Sequence, residues 1–199
     1  MAAKEVTVYI DYKSPYAYLA KDPTWELERD FDVRLKWLPY TLDIPSFLGS
    51  VEQRNDHQWR RVRYSYMDAR RLANRRGLTV RGPQKIFDSS IAAIGMLFAE
   101  RAGVFRKYND LMFERFWKRE LDIEDPAVVA GVIEESGAKA AGFSDFLTGD
   151  GRREHDRIKS EAEALGIFGV PSYVIDGEIF WGGDRLWMVR EKLERIARR

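Results

Sequence analysis

The stretch EVTVYIDYKSPYAYLA, residues 5–20, decides how this chain is read. Its first half, EVTVYI, is rich in β-branched and aromatic residues and reads as a strand leading into Asp11. Ser14 is then a good helix N-cap, because its hydroxyl can accept a first-turn N–H. Pro15 suits the first helical position, where its missing N–H has no intrahelical partner to lose. Tyr16, Leu19, Ala20 and Leu27 share one helical face that runs to about Asp30. VRLKWLPY, 33–40, alternates apolar and polar residues and is closed by Pro39. Strand, helix, strand at this spacing is a βαβ unit whose strands lie parallel.

The remainder of the chain extends this unit. A helical pattern runs from about Glu52 to Arg76 and breaks at Gly77. Further helices are expected over 88–101, 104–119, 126–136 and 151–165, separated by Gly103, by Asp125-Pro126 and by a Gly-rich patch over 142–151. PSYVID and EIFW flank Asp176-Gly177, the signature of a hairpin with a two-residue type I′ turn. Residues 185–199 then form an amphipathic closing helix. The order βαβ, helices, ββα predicts an α/β fold: a thioredoxin-like core with a mixed sheet, carrying a large all-helical insertion. The expected division is a thioredoxin-like domain from 1–45 and 151–199, with the helical insertion over 46–150.

At 199 residues, 45% hydrophobic and 33% charged, the chain can bury a core without being disordered. Its 33 Lys and Arg balance 32 acids, and the net charge of +1 exerts no global pull on nucleic acid or anionic lipid. No apolar run approaches membrane-spanning length, and the start lacks the apolar core of a signal peptide, so a soluble cytoplasmic protein is expected. The chain has no cysteine, which removes disulfides, thiolate metal sites, cysteine nucleophiles and dithiol chemistry of its own. Asp150, His155 and Asp156 have no distinctive ligand spacing, and no metal site is expected.

Three segments carry chemistry, each beside a plainer reading. At Ser14-Pro15-Tyr16-Ala17 a redox relative would place CxxC, using the helix dipole to lower a thiol pKa. Here a serine hydroxyl could donate to a thiolate supplied by a ligand; a bare N-cap also accounts for Ser14. In GVPSYVIDG, 169–177, Pro171 opens a strand, where its missing N–H is tolerated. Thioredoxin-like folds hold a cis proline there, which leaves Val170 to pair with an extended ligand; an ordinary trans bond fits the sequence equally. In FWGGDRLWMV, 180–189, Gly182 and Gly183 permit close backbone approach and Asp184 could meet an ammonium group, or the segment is a flexible turn and a helix start.

Together, SPYAYLA, GVP and FWGGDRL resemble the kappa-class glutathione transferases and, equally, the 2-hydroxychromene-2-carboxylate isomerases, which share a DsbA-like thioredoxin fold. The resemblance spans nearly the whole chain. It implies glutathione as cofactor, with Ser14 holding its sulfur as thiolate next to Pro15 and Tyr16. It also implies that Val170, before Pro171, pairs with the cysteinyl backbone, and that Gly182, Gly183 and Asp184 hold the γ-glutamyl end. Asn55 falls where the family has a ligand-facing Asn. The partners implied are a small electrophilic, aromatic-derived second substrate and a second copy in a homodimer. Two features depart from the isomerases. TLDIPSFLGS, 41–50, has no Lys or Arg where they carry a base for their acidic substrate, and Asp88-Ser89 stands where an Asn-Ser pair is usual.

Residues 57–77 hold seven arginines and one acid. Arg60, Arg61 and Arg63 are candidates to meet ligand carboxylates, a solvated basic helix is the plainer account, and Tyr64, Met67 and Leu72 are expected to form its packed face. KYNDLMFERFW, 107–117, is read as core or pocket wall. The leading reading is a glutathione-dependent isomerase or transferase. Behind it stand a cysteine-free, non-catalytic binding module gripping a partner beside Pro171, and more distantly a nucleic-acid binder.

Overall fold

The computed structural model describes residues 3–198, so Met1, Ala2 and Arg199, at the ends of the expected domain ranges, lie outside the described residues. Strand β1 (Lys4–Ile10), helix α1 (Pro15–Asp30) and strand β2 (Val33–Pro39) form the expected parallel βαβ unit. Strands β3 (Ser172–Ile175) and β4 (Glu178–Trp181) complete a four-stranded sheet in the order β2-β1-β3-β4, with β3 antiparallel to both of its neighbours. The hairpin turn has φ of 53° at Asp176 and 78° at Gly177, both positive as a type I′ turn requires. This is the DsbA-like thioredoxin arrangement: a mixed sheet in a mostly helical chain.

One row of side chains crosses the sheet and explains its packing. Trp37, Val8, Tyr173 and Phe180 are consecutive cross-strand partners, and all are buried. Helix α1 covers this row. Trp25 packs on Trp37 with ring centroids 4.7 Å apart, and Thr24 Oγ1 lies 2.9 Å from the Tyr173 hydroxyl. Pro23 lies inside α1 and cannot donate to the Leu19 carbonyl one turn earlier. The Arg76 guanidinium donates to that carbonyl instead.

Between β2 and β3 lie α2 (Ile44–Leu48), α3 (Asp56–Arg75), α4 (Ser90–Arg101), α5 (Phe105–Trp117), α6 (Pro126–Ser136), α7 (Phe143–Thr148) and α8 (Asp150–Leu165); α9 (Leu186–Ala197) closes the chain. Helix α4 is buried on nearly every side, sandwiched among α5, α6, α7 and α8. A Cβ on its Gly95 would stand 2.3 Å from the Tyr108 hydroxyl, so only glycine permits this approach of α4 to α5. Tyr108, Met112, Phe113, Phe116 and Trp117 are buried, so the aromatic run of α5 is core as expected.

Three local expectations are corrected. The pattern starting at Glu52 divides into a 3-10 turn, Val51–Gln53, and α3, because Asn55 and Gln58 form a capping box that starts a new helix. Helices α2 and α7, of five and six residues, were not expected; they are too short to display a helical period. The packed face of α3 is carried by Ala69 and Ala73, while Tyr64, Met67 and Leu72 are 57%, 37% and 39% exposed. Small residues let α3 approach α1 closely, and hydrophobicity alone selected the wrong side of the helix.

Candidate functional site

The first turn of α1 meets the loop before β3. Ser14 is 4% exposed; its Oγ accepts the Ala17 N–H at 3.2 Å as an N-cap and donates to the Val170 carbonyl at 3.4 Å. The turn is held from behind by Asp11, whose carbonyl accepts the Ser14 N–H at 3.0 Å. The Asp11 carboxylate accepts the Lys13 N–H at 3.1 Å and the Leu42 N–H at 2.8 Å. The Val170-Pro171 peptide bond is cis. Among the described residues the Val170 N–H has no hydrogen-bond partner, leaving a backbone donor open beside the serine.

The third segment is tied to the second. The Gly182 N–H donates to the Pro171 carbonyl at 2.8 Å, and Gly182 has φ of 105°, a conformation that favours glycine. A Cβ on Gly183 would lie 2.9 Å from Ala20 Cβ, so this turn rests directly on α1. Tyr16, Val170, Trp181, Gly182, Gly183 and Asp184 line one cleft of about 630 Å³, while Ser14, Pro15 and Pro171 adjoin these residues in the chain and are not part of its lining. Asp184 is exposed and paired with Arg185.

The Tyr16 hydroxyl points at Asp68 Oδ2 (3.1 Å) and the Ser65 carbonyl (3.3 Å). Burial first, then the Asp68 hydrogen bond, pushes its pKa up to about 12. Tyr16 is therefore a protonated donor and a wall of the cleft, not a base at neutral pH. Asp68, Leu72 and Arg76 supply the opposite wall. Sequence reasoning missed this triplet, and its one available signal was the four-residue spacing that puts the three on one helical face.

Asn55 stands apart from this cleft. It is exposed, its Oδ1 accepts the Gln58 N–H at 2.9 Å, and its own N–H donates to Gln58 Oε1 at 2.9 Å. Its side chain is engaged in starting α3. His155 is buried with Nε2 2.8 Å from Thr41 Oγ1 and Nδ1 2.9 Å from Asp156 Oδ1, so both ring nitrogens are engaged. Among the described residues no helix is long and apolar enough to cross a membrane.

The family model for the DSBA-like thioredoxin domain matches residues 5–194, almost the full chain. The chain belongs to the DsbA-like thioredoxin family. Within it, this DsbA-like chain is 25% identical over 195 residues to a 2-hydroxychromene-2-carboxylate isomerase of Pseudomonas putida, covering 97% of this chain and 96% of the relative. A protein of the same name from Sphingobium xenophagum is 26% identical over 187 residues, covering 92% and 94%. The solved structure of a 2-hydroxychromene-2-carboxylate isomerase superposes with a TM-score of 0.81 at 24% identity, covering 98% and 96%. At that identity the superposition speaks for the fold alone. The DsbA-like chain has Ser14 and Ala17 at the start of α1, and no cysteine anywhere.

Proposed function

We propose that this protein is a glutathione-dependent enzyme, an isomerase of the 2-hydroxychromene-2-carboxylate type or a transferase, in which Ser14 holds a borrowed thiol. The observation that carries the reading is the meeting of three segments in a cysteine-free chain: a buried hydroxyl at a helix start that touches the Val170 carbonyl, an open backbone N–H at Val170 and a glycine turn, the last two on one cleft. The residues fit the tripeptide. Val170 offers an unpaired amide to an extended backbone, the Gly183 turn rests directly on α1 beside it, and Asp184 supplies an exposed carboxylate for an ammonium. The names of the full-length relatives support the isomerase side of the proposal.

When bound, glutathione supplies a soft nucleophile that adds to an electron-poor double bond and, in an isomerase, leaves again after rotation. The chain's part is electrostatic and positional. Ser14 has one donor and two acceptor sites; the Ala17 N–H fills one acceptor, and the long bond to Val170 leaves the donor free to turn toward an anion. The α1 N-terminus favours negative charge at the same point. Tyr16, protonated throughout the neutral range, walls the cleft without competing for the thiol proton.

The test is calorimetric titration with reduced glutathione beside S-methylglutathione. Binding that weakens for the methylated thiol is expected. No binding of either at millimolar concentration refutes the reading and leaves a non-catalytic module that grips protein segments beside Pro171.

A further inference from the structure

Helix α3 puts its sides to different uses. Ala69 and Ala73 are buried toward α1. On one flank Asp68, Leu72 and Arg76 line the cleft described above, and on the other Trp59, Val62 and Tyr66 line a second cavity of about 400 Å³. Opposite the buried alanines a crest remains. It consists of Arg60, Tyr64, Met67, Arg71 and Arg75, each three or four residues from the next and all exposed.

The near-zero total charge of the chain hides a segregation. Seven arginines against one acid give 57–77 a net charge of +6, which leaves −5 for the rest of a chain whose total is +1. Elsewhere exposed arginines stand beside carboxylates, as Arg153, Arg157 and Arg195 do. Among the described residues Arg60, Arg71 and Arg75 have no ion pair, and neither do Arg63 and Arg70 at the edge of the crest. Asp68, the one acid of α3 beyond its first turn, lines the cleft and accepts from Tyr16. Apolar exposure extends past the crest. Leu72 and Trp181, both exposed, line the adjoining cleft, and the exposed Phe168 packs on Trp181 with ring centroids 4.7 Å apart.

We propose that the α3 crest docks the protein on an anionic lipid surface, with Tyr64 and Met67 in the headgroup layer and the arginines on lipid phosphates. Exposed apolar groups interleaved with unpaired arginines match that layer, which is apolar on one side and anionic on the other. A nucleic-acid backbone would complement the arginines and leave Met67 and Leu72 unmatched. A second copy related by a two-fold axis through the crest would set arginine against arginine. Because Asp68, Leu72 and Arg76 occupy the adjoining flank, docking holds the cleft beside the membrane. The surface stands on the crest residues alone and is independent of glutathione binding.

The experiment floats the full chain with vesicles of phosphatidylcholine alone and of phosphatidylcholine with phosphatidylglycerol. The anionic vesicles should bind at least about tenfold more tightly. Binding should be lost on raising NaCl from 0.1 M to 1 M, which cuts the screening length from about 10 Å to about 3 Å. A basic residue held near an anionic leaflet is worth about fivefold in affinity, so Arg60→Gln with Arg71→Gln should weaken binding about 25-fold. Removing the same charge from α8, with Arg153→Gln and Arg157→Gln, should change it less than about twofold. Tyr64→Ser with Met67→Ser should weaken it at least about threefold. Equal binding to the two vesicle types by the wild-type protein overturns the proposal whatever the variants do, and so does unchanged binding in either crest variant. Protein that binds a DNA duplex and neither vesicle overturns it in favour of nucleic acid. A dimer in sedimentation velocity that the arginine variant dissociates overturns it in favour of a second copy.

Discussion

Ser14→Ala separates the two things a hydroxyl does at the start of α1. As a cap it accepts the Ala17 N–H at 3.2 Å, and losing a serine cap costs about 1 kcal/mol. The bond to the Val170 carbonyl is long, 3.4 Å, and adds little to that figure. As donor to a bound thiolate the same hydroxyl contributes more, since a hydrogen bond to a charged group is worth about 1.5–3 kcal/mol. At about 1.4 kcal/mol per pKa unit, the thiol of bound glutathione should titrate roughly one to two units higher in the variant. Urea unfolding reads the first effect, and ultraviolet thiolate absorbance against pH, with saturating glutathione, reads the second. A stability loss near the cap value with an unmoved thiol pKa would refute the donor role and leave Ser14 as a cap.

Gly183→Ala would place a methyl group 2.9 Å from Ala20 Cβ, forcing the glycine turn off α1. Overpacking of this kind costs about 1–3 kcal/mol, and glutathione affinity should fall with it; unchanged calorimetric affinity would remove Gly183 from the site. Arg76→Met should strand the Leu19 carbonyl that Pro23 leaves without a helical donor, at a cost of about 1–3 kcal/mol, and speed amide exchange in α1. Exchange rates unchanged around Pro23 would show that water replaces the guanidinium. Acidification should destabilise the 81–90 region. Burial raises the pKa of both Asp88 and Glu124. For Asp88 the Ser90 backbone and hydroxyl donors outweigh it, and for Glu124 the Lys85 pair and the Asp88 N–H do, so each ends below its ordinary value of 3.8 or 4.5. The folded chain therefore binds fewer protons than the unfolded chain in that range. The contribution is complete above the ordinary values and is lost as pH falls through the lowered ones. Urea midpoints should drop on going from pH 6 to pH 3, less steeply in Asp88→Asn, and an identical slope in that variant would contradict the assignment.

What the sequence determined by itself is local. β1, the Ser14-Pro15 helix start, the Asp176-Gly177 turn and the closing helix rest on dihedral preferences and contacts within a few residues, and each appears where it was read. The element order then restricts the topology to a mixed sheet with a helical block. The resemblance implied a ligand-facing Asn55, and in the fold its side chain closes the capping box that starts α3. On α3, hydrophobicity pointed to Tyr64, Met67 and Leu72 as the packed face, whereas the buried residues are Ala69 and Ala73.

Tertiary structure decided everything that joins distant segments. Ser14 and Val170 stand 156 positions apart and share a hydrogen bond because β1 and β3 are sheet neighbours. The isomer at Val170-Pro171, the wall formed by Asp68, Leu72 and Arg76, and the burial of Lys13 behind the α1 turn belong to the same class. Propensities and caps act through the chain, so they are written in order along it. A site is made of groups adjacent in space, and that adjacency exists only after the sheet and its covering helices have packed.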